Sequence, residues 1–274
     1  MEFNSDRSGL FKAEGNEYFK NGNFIAAESL YSKAIIADKA NHSLYTNRAM
    51  ARLRLELYET AIADCNTCLE LDGPNRKARF ILSQCHLAMS NHDEALKNAV
   101  EAYRLARDAR ERTLAPFTAQ VLRCKKERWD ELEKRRHREG QYLERKLIDL
   151  MEGETEAILL SCTDEMERAE IIQECNEKID QLRATFEAAR AANEKKREVP
   201  DWAIDDITFN FMVDPVMTKT GKSYERASIL EALSRHPTDP ITREPLHPTD
   251  LRPNLELKRA CEEFLEKNGW AADW

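Results

Sequence analysis

Along the first 109 residues the apolar positions recur with a period of 34, longer than any simple helical or strand rhythm. A shift of that length brings Gly15 onto Ala49 and Ser83, Phe24 onto Tyr58 and His92, and Ala27 onto Ala61 and Ala95. It also brings Tyr31 onto Cys65 and Ala99, and Ala34 onto Cys68 and Ala102. Small residues at fixed intervals mark places where two helices approach closely, with larger residues filling between them. Asn21-Gly22-Asn23 and Ser90-Asn91 supply turns inside the units, and Asp72-Gly73-Pro74 a turn between them. The pattern predicts stacked helix–turn–helix units over residues 8–109, closed by a capping helix within 110–129.

Beyond residue 130 the rhythm changes. Leu143, Leu147 and Leu150 make one apolar stripe, and Ile172, Cys175, Ile179, Leu182, Phe186 and Ala189 follow at alternating spacings of three and four. The second is a heptad seam, which predicts a helix packed on a partner helix. Ser161-Cys162-Thr163-Asp164 offers N-caps for that helix. Residues 130–198 are thus expected to form a charged helical hairpin or coiled coil. The seam suits either an intramolecular hairpin or a homodimer in which Ile172, Cys175, Ile179, Leu182 and Phe186 meet a second copy. From residue 200 short apolar pieces alternate with turns: Ile207-Thr-Phe209-Asn-Phe211, Asp214-Pro215-Val216-Met217, then a hairpin tip at Lys219–Lys222. A short helix over Arg226–Ser234, a proline-punctuated loop from Pro237 to Pro253 and a last helix capped by Asn254 complete a small α+β domain, 200–274.

Composition sharpens these divisions. Seven of the nine prolines lie at or after Pro200, which sets the last domain apart. From Lys125 to Glu198, 36 of 74 residues are charged, as solvated helices require. With only 8 glycines among 274 residues, the chain as a whole is expected to be mainly α. A formal charge of −8 disfavours coating nucleic acid or an anionic membrane. No apolar run approaches the roughly 18 residues of a membrane span, and the first residues lack a signal pattern. Seven scattered cysteines read as reduced thiols in a cytoplasmic or nuclear protein. Cys65-x-x-Cys68 falls on small-residue positions of the repeat and has no second pair to complete a zinc site. With no GxSxG, P-loop or GxGxxG motif, no cofactor and no metal are expected.

The repeats carry one polar set of interest. Counting each unit from Ser8, His42 and Arg76, Lys12 and Asn16 are positions 5 and 9 of the first, Asn47 position 6 of the second and Lys77 position 2 of the third. All four fall on the first helix of a unit, the helix that lines a concave groove. Lysine and asparagine donors converging there suit a carboxylate, each charge-assisted hydrogen bond contributing roughly 1.5–3 kcal/mol. The 34-residue period resembles the tetratricopeptide repeat, and the polar set resembles the dicarboxylate clamp of tetratricopeptide co-chaperones. That resemblance implies a partner: the C-terminal Glu-Glu-Val-Asp tail of cytosolic heat-shock chaperones. Where many clamps carry an arginine this chain has Ile81, so Phe80 and Ile81 are expected to wall the groove for the residues preceding the tail's end.

The last domain resembles a U-box, a RING-shaped ubiquitin-ligase domain without zinc. The matching residues are Pro200-Asp201, Ile207, Phe209, Met212-Val-Asp214-Pro215-Val216, Gly221, Tyr224-Glu-Arg226, Ile229, Leu233, Pro240-x-x-Arg243-x-Pro245-Leu246 and Pro253-Asn254-x-x-Leu257. Cys261, His236 and His247 are too few to ligate two zinc ions, in agreement. The resemblance implies that Ile207, Phe209, Met212 and Pro240 dock a ubiquitin-conjugating enzyme, and that Arg243 contacts both that enzyme and the donor ubiquitin. Paired apolar residues at Ile207 and Phe209 could instead be core. Three repeats, a charged helical segment and a C-terminal U-box, in this order, resemble a family of co-chaperone ubiquitin ligases over nearly the whole chain. Lys125-Lys-x-Arg128-Trp129 and Asn268-Gly269-Trp270 match it too. The family implies a homodimer that directs ubiquitin onto misfolded, chaperone-bound clients for proteasomal quality control, with no covalent intermediate on this chain. Two rivals are a non-catalytic co-chaperone adaptor and a ligase that passes ubiquitin through Cys261.

Overall fold

The computed structural model describes residues 2–193 and 198–273, among which ten α-helices and one small sheet form. The chain divides into two units, Met1–Trp129 with Asp201–Trp274, and Asp130–Pro200.

In the first unit α1 (Glu2–Lys20), α2 (Phe24–Ala37), α3 (His42–Arg54), α4 (Tyr58–Leu71), α5 (Arg76–Ala88) and α6 (His92–Asp108) pack as successive helical pairs. Asparagine opens four of them, Asn91 that of α6, and at three the side chain caps: the oxygens of Asn23, Asn41 and Asn75 accept from the N–H groups of Ala26, Ser43 and Ala78. The period also governs the helix ends. Gly22, Glu56 and Ser90, 34 residues apart, all take positive φ one residue past the C-cap of α1, α3 and α5. The small-residue positions are tight: a methyl on Gly15 would press on the Tyr31 ring. Ala34, Ala49, Ala61, Cys65, Cys68 and Ala78 are fully buried in one cluster with Leu44 and Leu82, where Cys65 and Cys68 serve as small residues.

The expected cap is longer than the sequence suggested. α7 (Ala115–Ser161) starts by covering the third repeat through Val121 and Cys124 and runs on without a break. The remainder of this unit opens with a 3-10 turn at Asp201–Ala203. Strands β1 (Pro215–Met217), β2 (Ser223–Glu225) and β3 (Arg252–Pro253) form an antiparallel sheet in the order β2-β1-β3, with Val216 opposite both Tyr224 and Pro253. Gly221, at φ +84, makes the hairpin tip. Helix α9 (Arg226–Arg235) follows β2 directly, and α10 (Leu255–Lys267) is capped by Asn254. Val216, Tyr224, Ile229, Leu233 and Leu246 form the core.

In the second unit the later part of α7 lies against α8 (Glu165–Asn193). The seam meets α7 of the same chain: Ile179 is only 5% exposed, and the Cys175 thiol faces the Met151 carbonyl at 3.9 Å. Within the chain Ile179 thus follows the intramolecular alternative, and Cys175 is half-buried beside it. The register of the seam is corrected. Ile171 is half-buried and Ile172 largely exposed, so the inward set starts one residue earlier. Leu182 and Phe186 are half-buried. The charged segment as read from sequence extends over residues 194–197, which lie outside the described residues.

Candidate functional site

Two surfaces gather the predicted residues. In the repeats, Asn16 Oδ1 accepts from the Tyr31 hydroxyl at 2.9 Å and from Asn47 Nδ2 at 3.3 Å. Its oxygen is thus engaged, and its amide nitrogen remains as the donor. Lys12 Nζ donates to Ser43 Oγ at 2.8 Å, and that hydroxyl donates in turn to the N-cap oxygen of Asn41. Lys77 is exposed near the start of α5. Helices α1, α3 and α5 thereby contribute ammonium and amide donors, a chemistry that takes a carboxylate. Phe80 is half-buried, edge-on to Phe117 at 5.2 Å. Ile81 is a correction: at 2% exposure it sits in the core with Leu44, Ala49 and Cys85 and walls nothing. Tyr31 and Ser43, which orient Asn16 and Lys12, escaped the sequence reading because neither shares a helix with the residue it orients.

The second surface is built from two loops of one design. In the first, Asp205 N–H donates to the Asn210 carbonyl, Phe209 N–H donates to the Asp205 carbonyl, and Thr208 caps the Asp205 carboxylate through N–H and hydroxyl. In the second, Asp239 N–H donates to the Glu244 carbonyl and Arg243 N–H to the Asp239 carbonyl, while Asp239 Oδ1 accepts from Ile241 and Thr242 N–H. The fifth residue of each loop, Phe209 or Arg243, takes positive φ, +57 and +60. Strand β2 ties the two together: Glu225 N–H donates to Asp205 Oδ1 and the Tyr224 hydroxyl to Asp239 Oδ1, both at 2.9 Å. A signal for this was present, since Asp-x-Ile-Thr occurs at 205–208 and again at 239–242. Both aspartates are buried. Burial alone would raise the Asp239 pKa, but the Thr242 and Ile241 amides and Tyr224 hold it below the usual carboxylate range.

These loops present Phe209, 72% exposed, with Pro240, Ile241 and Arg243 also exposed. Ile207 is half-buried against the domain core and straddles both roles. Met212 is a correction. It is 2% exposed, with its N–H donated inward to the Ala203 carbonyl, so it belongs to the core and docks nothing.

The groups with the most perturbed protonation lie elsewhere. Burial lifts Glu225 to about 7, although its Oε2 accepts from Val213 and Asp214 N–H. Cys261 is buried and its thiol pushed up to about 12, the reverse of an activated nucleophile.

The described geometry agrees with relationships to known proteins. The U-box domain family matches residues 199–270, and the tetratricopeptide repeat family matches residues 42–75. Human tetratricopeptide repeat protein 12 is 41% identical over 30% of the chain and 12% of its own length. Human DnaJ homolog subfamily C member 7 is 33% identical over 34% of the chain and 19% of its own. The E3 ubiquitin-protein ligase CHIP of Arabidopsis thaliana is 31% identical across 95% of this chain and 94% of its own. With the U-box and one repeat matched and a relative aligned across 95% of the chain, the chain belongs to the CHIP family of U-box E3 ubiquitin-protein ligases.

Proposed function

We propose that the repeat groove grips the acidic C-terminal tail of a heat-shock chaperone through Lys12, Asn16, Asn47 and Lys77, while the two loops hold a ubiquitin-conjugating enzyme through Ile207, Phe209, Pro240 and Arg243. The protein is a chaperone-dependent ubiquitin ligase. The observation that carries this reading is the donor set of the groove, held by Tyr31 and Ser43 on the same chain as a ligase domain with paired exposed loops. Ubiquitin passes directly from the conjugating enzyme's thioester to a lysine amine of the client: the C–N bond forms, the C–S bond breaks, and the thiol leaves. This chain contributes proximity and orientation. The Arg243 guanidinium, a rigid planar donor, restricts the donor ubiquitin to orientations open to attack.

The exposed apolar side chains of the second unit favour self-association. Tyr142, Leu143, Leu150, Ile158, Leu160 and Met166 are exposed on a hairpin that buries little else, and a second copy would cover them. Reconstitution with purified conjugating enzyme, ubiquitin and chaperone tests the whole reading. Arg243→Ala should slow discharge of ubiquitin onto free lysine more than it weakens enzyme binding. Equal discharge by wild type and mutant would refute the role given to Arg243, and absence of client modification by wild type would leave an adaptor.

A further inference from the structure

The repeats and the U-box share a hydrophobic core. Ala95, Ala99 and Tyr103 of α6 and Val121 and Cys124 of α7 form one cluster with Ala227 of α9, and Val213 and Leu230 pack on it. A polar contact crosses the same seam. The Tyr103 hydroxyl donates to Asp214 Oδ2 at 2.9 Å, the oxygen that also accepts from Arg226 Nε at 2.7 Å, and Lys258 approaches Oδ1 at 3.4 Å. Burial alone would raise the Asp214 pKa, but Arg226, Lys258 and Tyr103 hold it below the usual range, so the acceptor is a carboxylate. A third contact joins the two motifs that the ligase reading leaves without a task. Trp129 packs so closely on Gly269 that a methyl there would overlap the indole, and Lys126 pairs with Asp273.

We propose that the U-box is docked as the end cap of the repeat solenoid, so that the two unfold as one cooperative unit and a ligand gripped by the repeats stabilises the ligase domain. A solenoid must close its last apolar face. Here α7 closes part of it and α9 the rest. The route from groove to ligase is short. Phe80 on α5, close to Lys77, packs on Phe117 of α7, and that helix carries Val121 and Cys124 into the shared cluster. The docked face is separate from the loops, since Phe209, Pro240 and Arg243 remain exposed. Thermodynamic coupling of this kind is reciprocal: what stabilises one half stabilises the other.

The statement about the ligand rests on the tail-binding reading above, and the test separates the two. In a urea titration of the full chain followed by hydrogen exchange, amides of α5–α6 and of β1 and α9 should lose protection at one shared midpoint. A synthetic peptide ending in Glu-Glu-Val-Asp with a free carboxylate, present at 100 times its dissociation constant, should slow the slowest U-box amides about 100-fold. Tyr103→Glu, placed from the repeat side opposite Asp214, and Ala227→Lys, placed from the U-box side, should each split the midpoints. Both should abolish the slowing in the U-box while lysine discharge persists. Separate midpoints in the wild type would overturn the proposal, as would a shared midpoint that survives in both variants. A peptide that binds by calorimetry yet leaves U-box exchange unchanged would also overturn it. A peptide that fails to bind would instead refute the tail assignment, and the wild-type midpoints would still decide the coupling.

Discussion

Phe209 can be tested in a way that separates docking from scaffold. Its backbone is left-handed, φ +57, and its ring is 72% exposed. A side chain in that region costs about 1–2 kcal/mol relative to glycine, whereas glycine's freedom in the unfolded chain costs about 0.4–1 kcal/mol. Phe209→Gly should therefore be more stable than Phe209→Ala by about 0.5–1 kcal/mol, the reverse of their order in ordinary helix or strand. Both substitutions remove the same ring. An aromatic side chain offers about 200 Å², so the exposed share holds roughly 140 Å², or about 3.5 kcal/mol at ~25 cal/mol per Å² if an interface covered it. After ordering costs a loss of about 2 kcal/mol remains, about a 30-fold drop in affinity for the conjugating enzyme. Urea denaturation of the two variants gives the stability order, and titration with the enzyme gives the affinity. If alanine proves the more stable, the left-handed loop is wrong; if both variants bind normally, Phe209 is scaffold.

Asp239→Ala removes acceptors for Ile241, Thr242 and the buried Tyr224 hydroxyl and should cost about 3 kcal/mol in urea denaturation, with Asp239→Asn, which keeps Oδ1, costing less. Burial lifts Glu225 to about 7 in the fold, against the ordinary glutamate value of 4.5 in the unfolded chain, so the native state binds the extra proton between those values. Stability should then fall as pH rises from about 5 to about 7, by on the order of 3 kcal/mol, and Glu225→Gln should flatten that slope. Lys12→Ala should weaken tail-peptide binding by at least tenfold in calorimetry, with the wild-type affinity itself falling as salt is added, and leave lysine discharge unchanged. Leu143→Glu with Leu150→Glu should shift light scattering from dimer to monomer with far-ultraviolet circular dichroism unchanged.

What could be read from the sequence was whatever repeats or alternates. The 34-residue period placed the helix pairs, because close helical contact demands a small residue at each recurrence, and Gly15 against Tyr31 is that demand in one contact. The errors arose where position alone does not decide burial. Ile81 shares its repeat position with Asn47, yet an isoleucine beside Leu44 and Ala49 joins the core, where an asparagine would not. Met212 matched a docking pattern that cannot say which side of the backbone faces inward. In α8 both Ile171 and Ile172 fit a seam through Ile179, and a helix of 3.6 residues per turn drifts against a strict heptad, so only the packed hairpin chooses between them. The paired loops left just the words Asp-x-Ile-Thr, too short to register as periodicity.

A ligase without a nucleophile also defeats the usual search for a site. Strongly shifted protonation normally points to chemistry, but here Glu225, Cys261 and Tyr103 are shifted by burial in packing roles. Backbone strain is the better guide. Among the described residues five side chains other than glycine take positive φ: Glu56, Ser90, Arg110, Phe209 and Arg243. The first three sit one residue beyond the C-caps of α3, α5 and α6, where a left-handed residue ends a helix as a matter of course. The remaining two end no helix. Each is the fifth residue of an aspartate-closed loop, and each projects an exposed side chain, so the strain holds in place groups that the fold itself does not use. An enzyme that works by holding two other proteins in register needs such groups fixed before either partner arrives, and that is where this chain carries its strain.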